Sequence, residues 1–147
     1  MRKRVERLQL IDRLATDKEQ QCALRLVSAQ ARLADATQRG SDLKGYLKEY
    51  QQAFEQRAKG GIGVTGLRDF QVFIARIGEA VRQQEALSAH LRDECERIRA
   101  QWRHAAARKN SLGKLLAKAR SELRQLDERA QQREFDERAQ RVGMMRR

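Results

Sequence analysis

A seven-residue apolar repeat that holds along most of the chain is what most restricts its fold. Every seventh residue from Val5 gives Val5, Asp12, Glu19, Leu26, Leu33, Gly40, Leu47 and Phe54; from Leu8 it gives Leu8, Ala15, Cys22, Ala29, Ala36, Leu43 and Tyr50. Apolar residues fill most of both rows, as at the a and d positions of a coiled coil. A second frame follows, with Leu67, Ile74, Val81, Ser88, Cys95, Trp102, Lys109, Leu116, Leu123 and Ala130 at a. Its d row is Phe70, Ile77, Gln84, Leu91, Ile98, Ala105, Leu112, Ala119 and Leu126. Roughly nine unbroken heptads impose a left-handed supercoil, so the chain reads as all-α.

The frames are separated by KGGIGVTG, residues 59–66, which holds Gly61, Gly63 and Gly66 in the G-x-G-x-x-G spacing of dinucleotide-binding loops. That spacing cradles a pyrophosphate only where a strand enters the glycines and a helix leaves them. Here a heptad helix enters as well as leaves, so the glycines serve to turn the chain. Arg57 and Lys59 suit a helix C-terminus, Gly60 can take the left-handed conformation beyond it, and Thr65 can cap a second helix with Asp69 in its first turn. The expected layout is one domain over residues 1–147, with a helix over about 3–58, a tip loop over about 59–65 and a helix over about 66–141.

An antiparallel two-helix coiled-coil hairpin follows, elongated, with a definite register. If Phe54 faces Phe70, facing a and d residues have numbers summing to 124: Leu47 with Ile77, Leu33 with Leu91, Leu26 with Ile98, Cys22 with Trp102, Leu8 with Leu116. Gln84 then sits beside Gly40, and large residues repeatedly meet small ones, which a slip of seven residues would upset. Leu123, Leu126 and Ala130 are left without a partner, so the second helix is expected to overhang the open end.

Composition agrees and narrows the function. Charged residues make up 35% of the chain, aromatics 5%, and proline is absent, which favours a thin seam over a core able to bury a substrate pocket. The net charge of +12 calls for an acidic partner such as nucleic acid, anionic lipid or an acidic protein surface. No apolar run spans a bilayer, and no apolar stretch follows the basic opening MRKRVERLQLID, so a cytoplasmic protein is expected. Cys22 and Cys95 are isolated seam fillers without metal-ligand spacing. His90 and His104 lie far apart, with no triad, H-E-x-x-H or carboxylate pair near either. Catalysis, metal and cofactor binding therefore find no residues to carry them.

Two features could carry partners. Near the tip, Leu43, Tyr46 and Tyr50 share one helix face, and Phe73, Ile77, Ala80 and Gln84 share another; Tyr46, Phe73 and Ala80 flank the seam at g positions. Such a strip either widens the seam or forms a docking surface. Farther along, Arg97, Arg99, Arg103, Arg108, Lys109, Lys114, Lys118, Arg120 and Arg124 stand against Glu122 alone, a local excess of +8. Solubility would ordinarily mix the signs. With Arg2, Lys3, Arg4, Arg146 and Arg147, this belt puts positive charge at the open end. Neither a basic-zipper order nor an aromatic stacking platform accompanies it, which weakens a nucleic-acid reading.

At LKGYLKEYQQAF, then GIGVTGLRDFQVFIARIGEAVRQQE, and again at REFDERAQRVGMMRR, the chain resembles the FliJ family of small coiled-coil proteins in the bacterial flagellar export apparatus. The match is strongest over residues 43–85 and recurs at Asp136, Glu137, Ala139, Gln140 and Arg141. The resemblance implies a hairpin similar to the central stalk of rotary ATP synthases. It further implies a place in the ring of the hexameric export ATPase, contact with the membrane export-gate protein, and handling of empty export chaperones, at the cytoplasmic face of the membrane. It implies no catalysis, since the partner hydrolyses ATP. Carried over by position, the gate-docking face is Leu43, Tyr46, Tyr50, Phe73, Ile77, Ala80 and Gln84, with Gln84 a polar departure. The alternatives are the equivalent stalk of an injectisome and a basic hairpin adaptor that binds nucleic acid.

Overall fold

The structure is a computed structural model that describes residues 1–146. It consists of two helices, α1 over Arg2–Lys59 and α2 over Val64–Met145, and no strand occurs among the described residues. Each helix extends beyond its expected bounds, by one residue at either end of α1 and by two and four at the start and end of α2. Heptad-spaced apolar residues drive this. Neither frame contains proline, and most outward positions carry good helix formers.

Contacts divide the chain into two units, Cys22–Gln101 and Met1–Gln21 with Trp102–Arg147. In the first, which contains the tip, the buried apolar residues are Cys22, Ala29, Ala36, Val81 and Cys95. In the second they are Val5, Ala15, Ala105, Leu116 and Ala119. All fall in the a and d rows. Mostly small side chains are buried, and none of them fully, because a seam with one neighbour helix leaves most of its leucines and isoleucines half-covered.

The register matches the sum of 124. In the tip unit the Phe54 and Phe70 rings have centroids 6.4 Å apart, and a Cβ placed on Gly40 would lie 3.5 Å from Gln84 Cγ. In the other unit Val5, Leu116 and Ala119 form one buried cluster, with Leu8 and Leu123 packed on it; Leu123, expected to lack a partner, is therefore covered, and the fully exposed stretch of α2 begins after it. Two polar seam contacts fit the same alignment. Gln84 Nε2 donates to the Ala36 carbonyl at 3.0 Å, and Trp102 Nε1 donates to Glu19 Oε1 at 3.0 Å. A slip of one heptad would leave these half-buried groups unpaired, at about 1–3 kcal/mol each. Cysteines introduced as Leu47→Cys and Ile77→Cys are therefore expected to cross-link within one chain under mild oxidation. Efficient linkage of Leu47→Cys to Gln84→Cys instead would place the register one heptad away.

The turn differs from the expectation in its details. The left-handed residue is Gly61, with φ of 83°, and not Gly60. The Ile62 N–H reaches back to the Arg57 carbonyl at 3.2 Å, the six-to-one bond of a Schellman cap, which puts Gly61 at the position needing positive φ. Gly63 caps α2 in place of Thr65, because its carbonyl accepts the first helical bond, from the Leu67 N–H at 3.1 Å. Thr65 is already inside the helix, and Asp69 falls beyond a first turn that holds no acidic residue. Gly66 has a separate reason to be glycine. A Cβ there would lie 2.8 Å from Ile62 Cδ1, so Ile62 folds over the bare backbone and closes the tip.

Candidate functional site: an aromatic strip and a basic surface

The strip lies entirely within the tip unit. Tyr50 and Phe73 meet edge to face across the seam, with centroids 4.8 Å apart and planes at 63°, a favourable aromatic geometry. Their numbers sum to 123, and the same sum aligns Tyr46 with Ile77 and Leu43 with Ala80. Six of the seven expected residues thus form three successive rungs along one side of the hairpin. Leu43, Ile77 and Ala80 are half-buried, whereas Tyr46 is 54%, Phe73 44% and Tyr50 37% exposed.

Gln84, the seventh, differs in kind. Its amide is engaged by the Ala36 carbonyl, so its polar group already serves the seam. Toward the tip the strip continues through residues not assigned to it from sequence. Tyr50, Asp69, Phe70 and Phe73 line a shallow, mostly apolar groove, and the Arg57 guanidinium stands 5.0 Å from the centre of the Phe70 ring, within cation–π range. The pairing of Phe54 with Phe70 could have located this extension, since it places Phe70 one turn from Phe73.

The nine belt cations divide between the two units. In the tip unit Arg97 is exposed, and Arg99 is half-buried and bonded to Glu96 at 2.8 Å. In the other unit Arg103, Arg108, Lys114, Lys118, Arg120 and Arg124 are exposed, and among the described residues none of the six forms an ion pair. They occupy heptad positions b, g, f, c, e and b, so they cover the outer and flanking faces of α2. Lys109 behaves differently. It is a half-buried seam residue whose Nζ approaches Glu19 Oε2 at 3.8 Å. Arg2, Lys3, Arg4 and Arg146 are exposed; Arg147 lies outside the described residues.

Beyond Leu123, every described residue from Arg124 to Arg146 is exposed although α2 continues to Met145. No described helix is long and apolar enough to cross a membrane. Such an arrangement offers surfaces for partners.

Comparison with known proteins adds one finding. The family model described as flagellar FliJ protein matches residues 3–147, essentially the whole chain. No curated protein and no solved structure matches. With a heptad hairpin, an aromatic strip beside its tip and a family match of that extent, the chain belongs to the FliJ family, non-enzymatic components of flagellar protein export.

Proposed function

We propose that this protein is a coupling stalk: its open end occupies the ring of the hexameric export ATPase and stimulates it, while its tip region docks on the export gate at the cytoplasmic face of the membrane. The observation that carries this reading is the strip of Tyr46, Tyr50 and Phe73, aromatics that stay half-exposed along one side of the seam. Aromatics of this kind are the usual anchors of protein interfaces. Leu43, Ile77 and Ala80 supply the apolar floor, and Gln84 bounds the strip away from the tip.

The charge asymmetry supports the other half. Six unpaired cations on α2 favour an acidic surface, and a ring that encloses a helix presents acidic groups to every outer face at once, which suits cations spread over b, c, e, f and g. Handling of export chaperones belongs to the same reading and rests on family resemblance. The test is a three-component capture with purified export ATPase, the soluble domain of the gate and this chain. Retention of the gate domain by immobilised ATPase only when the chain is added is the expected result. Failure of the chain to hold both at once would refute coupling.

A further inference from the structure

The charged residues of the seam are divided between the helices by sign. Among the a and d residues of α1 they are Asp12 and Glu19, both acidic; among those of α2 the charged residue is Lys109. All three are half-buried, and all three belong to the unit at the open end. The other polar members of the α2 rows, Gln84 and Ser88, carry no charge.

The antiparallel register brings the opposite signs together. The Glu19 side chain is only 16% exposed. One of its carboxylate oxygens accepts from Trp102 Nε1 at 3.0 Å, and the other stands 3.8 Å from Lys109 Nζ. Asp12 lies one heptad nearer the open end, with its Oδ1 beside the bare backbone of Gly113, 3.8 Å from where a Cβ would lie. In the alignment that sums to 124, Lys109 faces Ala15, midway between Asp12 and Glu19. The seam cation is thus set between the two seam anions.

Stability alone does not ask for such a layer. Apolar residues of similar volume usually serve a packed interface as well as a half-buried ion pair does, or better. Charges at a positions instead select register and partner at a cost in stability. What these charges reject follows from their division by sign. In a parallel, in-register pair of two copies every a and d residue meets its own counterpart, so Asp12 meets Asp12, Glu19 meets Glu19 and Lys109 meets Lys109. Neither seam would then hold an opposite charge, and the Trp102 indole would lose Glu19 as its acceptor. Leu26, Leu33 and Leu47 in α1, or Ile74, Ile77, Leu91 and Ile98 in α2, would suit self-pairing equally well, so the apolar rows by themselves do not prevent it.

We propose that Asp12, Glu19 and Lys109 are the pairing determinants by which the chain joins α2 to α1 and rejects parallel pairing of either helix with the same helix of a second copy. They act within the chain, whatever partner the hairpin later meets.

The experiment uses the full chain and its two native cysteines, which are buried and free. Cys22 and Cys95 are one heptad out of step in the hairpin alignment, too far apart to join, but each would face its own counterpart within disulfide reach in a parallel pair. Wild type and the combined variant Asp12→Leu, Glu19→Leu and Lys109→Leu are refolded at several chain concentrations under mild oxidation, and chains linked Cys22 to Cys22 or Cys95 to Cys95 are counted by peptide mapping. The variant is expected to give about tenfold more linked chains than wild type, or more. Equal linkage in the two proteins, whether high or absent, would overturn the proposal. A second comparison decides the matter if the combined variant does not fold. Lys109→Glu, which adds a third carboxylate to the seam, is expected to melt about 4 °C or more below Lys109→Leu by circular dichroism. A midpoint no lower than that of Lys109→Leu would show that the seam charges do not sense one another, and the proposal would fall.

Discussion

Replacing Tyr46 and Phe73 together with alanine is expected to leave helical content almost unchanged and to weaken binding to the export gate by about 30-fold or more, the equivalent of about 2 kcal/mol. Both residues occupy g positions, outside the rows that hold the buried Val81 and Ala36. Phe73 does contribute to the fold through its edge-to-face contact with Tyr50, which is worth about 0.5–1.5 kcal/mol beyond area burial. A long seam tolerates that loss, whereas an interface built on a few anchors does not. Titration of the gate domain with wild type and double variant, with circular dichroism as the control for folding, measures both sides. A variant of normal helicity that binds as wild type does would reject the strip as a docking surface.

The second large effect concerns charge. Reversing Arg108, Lys114 and Lys118 to glutamate takes the belt from +8 to +2 and is expected to abolish stimulation of the ATPase. These three are exposed, unpaired, and at g, f and c positions, so the seam carries none of the cost. Lys109 is left unchanged for the opposite reason, because its proximity to Glu19 at 3.8 Å ties it to the seam. Attraction between exposed charges reaches about 30 Å at 0.01 M salt and about 8 Å at physiological strength. Stimulation by wild type should accordingly decline as salt rises over that range, while the variant starts from nothing and has little to lose.

Much of this is legible in the amino-acid sequence. The a and d rows identify the residues that become buried, from Val5 to Ala119, because a two-helix seam has one degree of freedom in register and a phenylalanine pair at the tip to set it. Gln84 beside Gly40 was expected from volume alone, although its bond to the Ala36 carbonyl was not, since a side-chain amide has several reachable carbonyls and only the packed backbone selects one. The caps were harder. Gly60, Gly61 and Gly63 are all competent to end or begin a helix, and the choice of Gly61 follows from a single bond between Ile62 and Arg57, a difference on the order of 1 kcal/mol.

The aromatic strip was legible as a face but not as a set of rungs. Its outline required the sum of 123 that Tyr50 and Phe73 adopt, one residue away from the seam sum, and the groove at Asp69 and Phe70 appears only once the two helices are side by side. Within the belt, heptad letters separated Lys109 from its neighbours in principle. The bond between Arg99 and Glu96 depended on rotamers that no periodicity specifies.

ATP turnover by the purified export ATPase ring, measured against added chain at low and physiological salt, tests the coupling account most directly. Stimulation by wild type that is stronger at low salt, and none by the Arg108, Lys114 and Lys118 reversal, is the predicted result. Equal stimulation by both proteins at both salt concentrations would contradict it and reduce the belt to a solvated helix face.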